Sequence, residues 1–500
     1  MSTLIRGGRV LRADFVTCDP ADVLIEHGFI RAIEPVGRIT RDDVETIEAA
    51  DRLLVPGLVN GHTHAHGGLG KGAVGDLVPL EVFLSASGVI NGSRTVEDKR
   101  LSATLTAVEL VHKGCTAAYD LFVEYPVPSR EGLDAVAGAY GTVGMRAVIA
   151  PMMADHTLYE ALPGLTESLP AHLQEQVRRI KAAPYEASVA VARDVLANWR
   201  HDRDKLRPAL GPTIPLHCSD AFLVECARLA EEYDVLLQTH LAESKTQAVL
   251  GYKKYGRSLV AHLQALNVLG PRLSAAHGIW LDSDDISRLA AAGVGVVHNP
   301  MSNLRLGSGV APSRALLDAG VCLGIGTDAS NTSDGQNMFE ALRLAAFLSR
   351  VGDADYGRWL SAEEVFRAAT EGSAKILNFD RIGRLEPGYR ADIVFLDIGH
   401  INYVPLRNPL QQMVLAENGA AIHSVMIDGR FIVRDRRLLT VDEARLRQEA
   451  EEAVARLDMA NVDAARAANQ FRDLVGHFCM AHARAPFHVH RRLPDDVPPE

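Results

Sequence analysis

The sequence predicts an α/β protein: a distorted (β/α)8, TIM-type barrel beside a small β-sandwich domain assembled from both ends of the chain. Three observations carry this reading. Eight short apolar segments lie between residues 56 and 384, each followed by a helical pattern, and such alternation favours a closed parallel sheet. Several of those segments end in polar residues suited to metal chemistry, as strands of such a barrel do where its loops converge. Short strand-like runs around Gly-containing turns occur at both ends of the chain, over residues 1–55 and 385–435.

At the amino end, Leu4–Leu11 and Val23–Ile33 read as strands, and Ala391–Leu396 and Ser424–Val433 repeat that texture late in the chain. Between them the eight strand candidates centre near Leu58, Ala118, Val148, Ala209, Leu237, Ala275, Gly295 and Leu323. Residues 436–500 form a third region. From Val441 to about Arg472 it is rich in Ala, Glu and Arg and reads as exposed helix. From His477 through His482, Pro486, His488 and His490 to Pro498–Pro499 no period is evident, and a tail packed on the barrel or on a neighbouring subunit is expected.

Composition limits the function. The chain has 500 residues, 47% hydrophobic and 23% charged, which suits a soluble globular protein with a large core. A formal charge of −11 argues against a nucleic-acid surface. No run approaches ~18 apolar residues and the amino terminus carries no secretory pattern, so a cytoplasmic protein without a membrane partner is expected. A homo-oligomer acting on a small molecule is the expected assembly. Cys18, Cys115, Cys218, Cys226, Cys322 and Cys479 are scattered without a Cys-x-x-Cys pair and read as small buried hydrophobes.

The chemistry sits at strand ends. The run Leu53–Gly61 leads into His62-Thr63-His64, and alternation along a strand puts both imidazoles on one side. Two imidazoles are half of a mononuclear site for zinc or its neighbours. Further along, Val235–Thr239 runs into His240 with Glu243 three residues on, Leu273–Ala276 into His277, and Val321–Thr327 into Asp328. Each is ordinary alone; the ordered set is not.

With Pro56–His64, His240–Ser244, Ala276–Gly278, His298–Gly309, Gly326–Asp328 and Glu386–Asp392, the chain resembles the amidohydrolase superfamily. The resemblance is to its cytosine-deaminase-like branch, with guanine and S-adenosylhomocysteine deaminases and triazine hydrolases, and it extends to about Val433. It implies that His62, His64, His240 and Asp328 ligate one divalent ion per subunit, zinc being favoured and iron, cobalt or manganese accepted. Binuclear relatives carry a bridging lysine after strand four; the stretch Arg207–Pro215 has none, and Lys205 lies before the strand.

The resemblance further implies a hydrolytic deaminase of a nitrogen heterocycle: a purine, pterin, pyrimidine or triazine-like ring. A divalent cation brings the pKa of bound water from ~15.7 toward ~7, giving a hydroxide that attacks an amidine-type carbon and releases ammonia. His277 orients the water and stabilises the oxyanion, Asp328 accepts and returns the water proton, and Glu243 carries a proton to a ring nitrogen. The alternatives are loss of an alkylamine, halide or other group from a triazine, urea or amide, and a non-catalytic scaffold barrel.

Substrate contacts are expected from the loops. His66, Lys71 and Asp76 lie in the Gly-rich loop after the first strand, where either substrate selection or plain surface is expected. Asp120 and Phe122 end the second strand, Asp155 and His156 follow the third, and His217 follows the fourth. Trp280 offers a ring near His277, while Ser302, Asn303 and Arg305 shape the loop after strand seven. Adenosine-type members carry Pro-His after strand four, where this chain has Pro212-Thr213, a departure that argues against a nucleoside substrate unless His217 takes over.

Overall fold

A computed structural model describes residues 2–41 and 43–492. Its centre is a ring of parallel strands: β1 (Leu58–His64), β2 (Cys115–Val123), β3 (Arg146–Met153), β4 (Leu206–Pro212), β5 (Leu236–Leu241), β6 (Leu273–His277), β7 (Gly295–His298) and β8 (Leu323–Ile325). Each strand pairs with the next. Closure comes from a break in the last strand. β8 pairs with β7, and after Gly326–Thr327 the short segment Asp328–Ala329 pairs with Thr63 and His64 of β1. A Cβ at Gly326 would lie 2.8 Å from the His62 carbonyl oxygen and 2.9 Å from its amide nitrogen, so only glycine permits this approach. Closing the barrel is therefore what brings Asp328 beside the two histidines of β1.

The barrel strands are buried on both faces, which is why they read as nearly continuous apolar runs. On β2, Tyr119 and Leu121 meet Val59, Val148, Ala209 and Val297 inside the ring. Ala118 and Phe122, of opposite parity, join the larger core under the helices. The run Leu53–Gly61, read as one segment, is divided at Gly57, where a Cβ would overlap the Thr116 side chain. Arg52–Pro56 belongs to a different sheet.

That second sheet has nine strands drawn from both ends of the chain, joined where Arg52–Pro56 runs antiparallel to Ile393–Asp397. Ile5, Val23, Leu54, Ile393, Phe395 and Met426 form its own core. An ion cluster ties it to the base of the barrel. Arg146, at the start of β3 and 1% exposed, donates to Asp392 (Nε to Oδ2, 3.1 Å), to Asp428 and to the Asp204 carbonyl (3.0 Å). Arg390 also donates to Asp428 at 3.0 Å, and the Asp428 amide donates to Asp392 at 2.8 Å.

The final helix runs Glu443–Arg484, twelve residues past the expected end near Arg472. Its buried stripe explains the extension: Leu446, Ala453, Leu457, Phe471, Val475 and Cys479 recur at helical spacing, and the last two lie past the expected helix end. His477 and His482 therefore belong to the helix. It packs on the helices Leu80–Asn91 and Lys245–Tyr255, and residues 485–492 return along the loops after β6 and β7. Pro498–Pro499 lie outside the described residues. No described helix is long and apolar enough to cross a membrane.

Candidate metal centre

The strand ends converge. His62, His64 and His240 stand with ring centroids 4.6–5.1 Å apart, and Asp328 Oδ1 lies 3.3 Å from His64 Nε2 and 3.9 Å from His62 Nε2. All four are at most 6% exposed. Their outer nitrogens are already committed. His64 Nδ1 donates to the Leu121 carbonyl at 2.6 Å, and His240 Nδ1 to the Thr213 carbonyl at 2.6 Å. His62 Nδ1 donates to Gln238 Oε1 at 2.7 Å, while the Gln238 amide donates to the Gly61 carbonyl and Ser274 Oγ, which fixes its orientation.

Those bonds leave three Nε2 lone pairs aimed at one another. His64 Nε2 and His240 Nε2 lie 3.0 Å apart with no proton left to share, and buried His62 Nε2 has no hydrogen-bond partner. Such an arrangement is repulsive unless a cation lies between the nitrogens. With Asp328 it makes a donor set of imidazoles and carboxylate that fits one divalent ion. Burial, then the neighbouring imidazoles, hold the His62 pKa well below its ordinary value, and burial brings His240 down to about 3. Burial alone would raise Asp328, but His64, His277 and His62 outweigh it and keep the carboxylate ionised.

Two residues complete the reacting side. His277 Nδ1 donates to Asn303 Oδ1 at 2.8 Å, leaving Nε2 unpartnered, 3.7 Å from Glu243 Oε1 and 3.9 Å from Asp328 Oδ2. With Nδ1–H so used, the neutral ring accepts at Nε2; the expected oxyanion role uses a ring that carries a proton on Nε2. Burial, then Asp328 and Glu81, raise the Glu243 carboxyl well above the usual range, the direction that favours a proton donor. Ser302 Oγ donates to Asp328 Oδ2 at 2.6 Å, so the one-turn helix Pro300–Arg305 positions both Asp328 and His277. His277 (φ 72°) and Asp328 (φ 62°) both adopt left-handed backbone, strain of the kind that clusters at reacting sites.

The expected substrate residues divide. His66 lies beside the centre, its ring 5.1 Å from that of His64, with Nδ1 accepting the Val123 amide, so that its proton sits on Nε2. Phe122 packs edge-on against His66 from the outer core. Asp120 shares that outer parity and is not brought to the centre: it accepts the Ala65 amide at 2.9 Å. Lys71 is likewise turned away, paired with Glu109 at 2.5 Å and half exposed. Trp280 is 4% exposed, its N–H spent on the Ser308 carbonyl, so it forms wall and not platform. His217 is buried, with its pKa brought down to about 4 by that burial, and its carbonyl anchors the amides of Asp155 and His156. The Asp155 carboxylate in turn accepts the Ser219 amide, and Arg305 latches the Gly75 and Asp76 carbonyls.

Two functional residues escaped the sequence reading. Gln238, in the apolar run two residues before His240, shares its face, and a lone amide there is the signal that could have exposed it. Glu81, 4% exposed on the helix Leu80–Asn91, accepts from Ser244 Oγ next to Glu243; nothing in its segment marks it.

A profile of the amidohydrolase family matches residues 53–432, three quarters of the chain and the whole barrel. The chain belongs to the amidohydrolase family. It is a hydrolase of carbon–nitrogen bonds that binds a divalent metal. The 5'-deoxyadenosine deaminase of Methanothermobacter thermautotrophicus is 34% identical over 91% of this chain and 99% of its own length. The 5-methylthioadenosine/S-adenosylhomocysteine deaminase of Desulforudis audaxviator is 33% identical over 91% and 99%. Among solved structures, an adenosine deaminase from Xanthomonas campestris with bound zinc superposes with TM-score 0.81 at 29% identity, covering 91% and 98% of the two chains. An atrazine chlorohydrolase from Arthrobacter aurescens complexed with zinc gives TM-score 0.79 at 26% identity, covering 90% and 100%.

Proposed function

We propose that the protein is a zinc-dependent hydrolytic deaminase of an adenine nucleoside modified at or near the 5' carbon. The observation that carries this reading is the buried Glu243 carboxyl, with Oε1 3.7 Å from His277 Nε2 at the edge of the ligand cluster. A reaction that must protonate a ring nitrogen while water adds to the neighbouring carbon needs such a group there. The likeness to adenosine-derivative deaminases outweighs the Pro212-Thr213 departure: Thr213 keeps the carbonyl bond that orients His240, and only the substrate contact of a histidine side chain is missing there.

A divalent ion held by His62, His64, His240 and Asp328 supplies Lewis acidity and lowers the pKa of a water placed on it. The chain's own groups move the protons. His277 Nε2 takes a hydrogen bond from the attacking water and fixes its direction. Glu243 gives its proton to the ring nitrogen, making the adjacent carbon electrophilic. Asp328 accepts a water proton and returns it to the departing nitrogen. The carbon–nitrogen bond breaks, ammonia leaves, and a carbonyl forms on the ring as the remaining proton of the added water passes back to the Glu243 carboxylate.

The test is ammonia release from adenosine, 5'-deoxyadenosine, 5'-methylthioadenosine and S-adenosylhomocysteine, with chloride and alkylamine release from triazines measured in parallel. Ammonia from an adenine nucleoside, reduced ~10²–10⁴-fold in Glu243→Gln, is the expected result. Chloride or alkylamine from triazines with no ammonia from any nucleoside would replace this reading with the triazine one.

A further inference from the structure

The tail after the last helix does more than cover the barrel. Its Arg491 guanidinium reaches the loop that follows His277, donating from Nε to the Ile279 carbonyl at 2.9 Å and from Nη2 to the Leu281 carbonyl at 2.5 Å. The Arg491 carbonyl accepts the Val310 amide at 2.8 Å, joining the segment that leaves the Pro300–Arg305 helix. The fit is close: Gly309 takes φ +128°, and a Cβ on it would lie 2.8 Å from that same carbonyl oxygen. Val489, 5% exposed, plugs the main core, and His488 Nε2 lies 3.0 Å from Asp282 Oδ2 at the far end of the loop.

The two segments so joined carry the residues on the reacting side. Residues 278–281 continue directly from His277 and are bonded to the strand that leads to Glu243, through Gly278 N to the Leu241 carbonyl (3.1 Å) and Trp280 N to the Ala242 carbonyl (2.9 Å). Residues 307–310 continue from Asn303, whose carbonyl accepts the Ser308 amide at 2.8 Å and whose side chain holds His277. None of the four metal ligands lies in either segment. We infer that Arg491 is a positioning residue: it clamps the loops after β6 and β7 so that His277, Asn303 and Glu243 keep one mutual geometry, without contributing to metal binding.

The kinetic part of this inference rests on the proposed deaminase reading; the structural part does not. The test compares full-length, metal-loaded wild type with Arg491→Ala, reading turnover, metal content and amide hydrogen exchange together. Misplacement of reacting groups by about 1 Å costs about 10²-fold in rate. Arg491→Ala is expected to lose kcat by about that factor, with KM within about threefold and metal content unchanged, and Arg491→Lys to recover part of it. Exchange is expected to quicken in residues 278–282 and 307–310 while the barrel strands stay protected. Unchanged kcat, loss of metal, or unchanged exchange in both loops would overturn the inference. Should Arg491→Ala give no soluble protein, Arg491→Lys, which keeps charge and stem but loses the fork, is read by the same criteria. A wild type inactive on every nucleoside would sink the deaminase reading, and the exchange pattern would then decide the clamp.

Discussion

Two buried polar clusters stand at opposite ends of the barrel, and they are finished differently. At the base, Arg146, Arg390, Asp392 and Asp428 alternate in sign, and every charge meets an opposite one or a backbone partner. At the mouth, His62, His64 and His240 have their outer nitrogens satisfied and their inner ones bare, while His277 Nε2 stands unpartnered beside Asp328 and Glu243. Burial is complete for Arg146 and Asp392 and partial for Arg390 and Asp428, against near-complete burial at the mouth, yet it is the mouth that is left unsaturated. A closed network holds two sheets together, whereas an open one costs stability that only a bound cation and a substrate return.

The comparison is broken most forcefully at the base. Arg146→Met leaves the buried Asp392 without its charged partner while Asp428 keeps Arg390, so a loss of about 3–5 kcal/mol is expected in denaturant unfolding. Metal content and turnover of the folded fraction should stay near wild type, and a selective loss of metal would show that the two ends are not independent.

At the mouth the effects run the other way. Asn303→Ala frees His277 Nδ1 without touching a ligand, and removal of such supporting partners costs about 10–100-fold in activity. Steady-state kinetics should show that loss with unfolding midpoints close to wild type; an unchanged rate would make Asn303 a packing residue.

How much of this was legible follows from which side of a strand matters. His62, His64, His240, His277 and Asp328 were legible because each ends an apolar run, and the end of a strand is visible in sequence whatever its facing. Asp120 and Lys71 were not, for separate reasons. Both faces of β2 are buried, so the apolar pattern carries no parity, and Asp120 turned out to share the helix-side face with Phe122. Lys71 found its ion-pair partner, Glu109, thirty-eight residues away, a distance no local pattern spans. The eight strands were readable from period and spacing, but the division at Gly57 was not, because Leu53–Gly61 stays apolar across two sheets. Glu81 reaches the centre only through the packing of its helix.

A smaller effect sharpens the contrast on the outer wall. Burial raises the Asp120 carboxyl from 3.8 to about 7. The folded chain therefore keeps a proton that the unfolded chain has released between about pH 4 and 7, and stability falls as pH rises through that window. Asp120→Asn can still accept the Ala65 amide and carries no charge. Its melting temperature should match wild type near pH 4 and exceed it by a few degrees at pH 8. Parallel pH profiles for the two proteins would contradict the raised value.

The central claim is that the bare nitrogens at the mouth are those of a metal centre for one ion. Elemental analysis of native protein and of His240→Ala, each purified without added metal and then dialysed against limiting zinc, tests it most directly. One ion per chain in the native protein, lost or weakened by orders of magnitude in His240→Ala with the fold intact by circular dichroism, is the expected result. Two tightly held ions per chain, or none in native protein offered zinc, would contradict it.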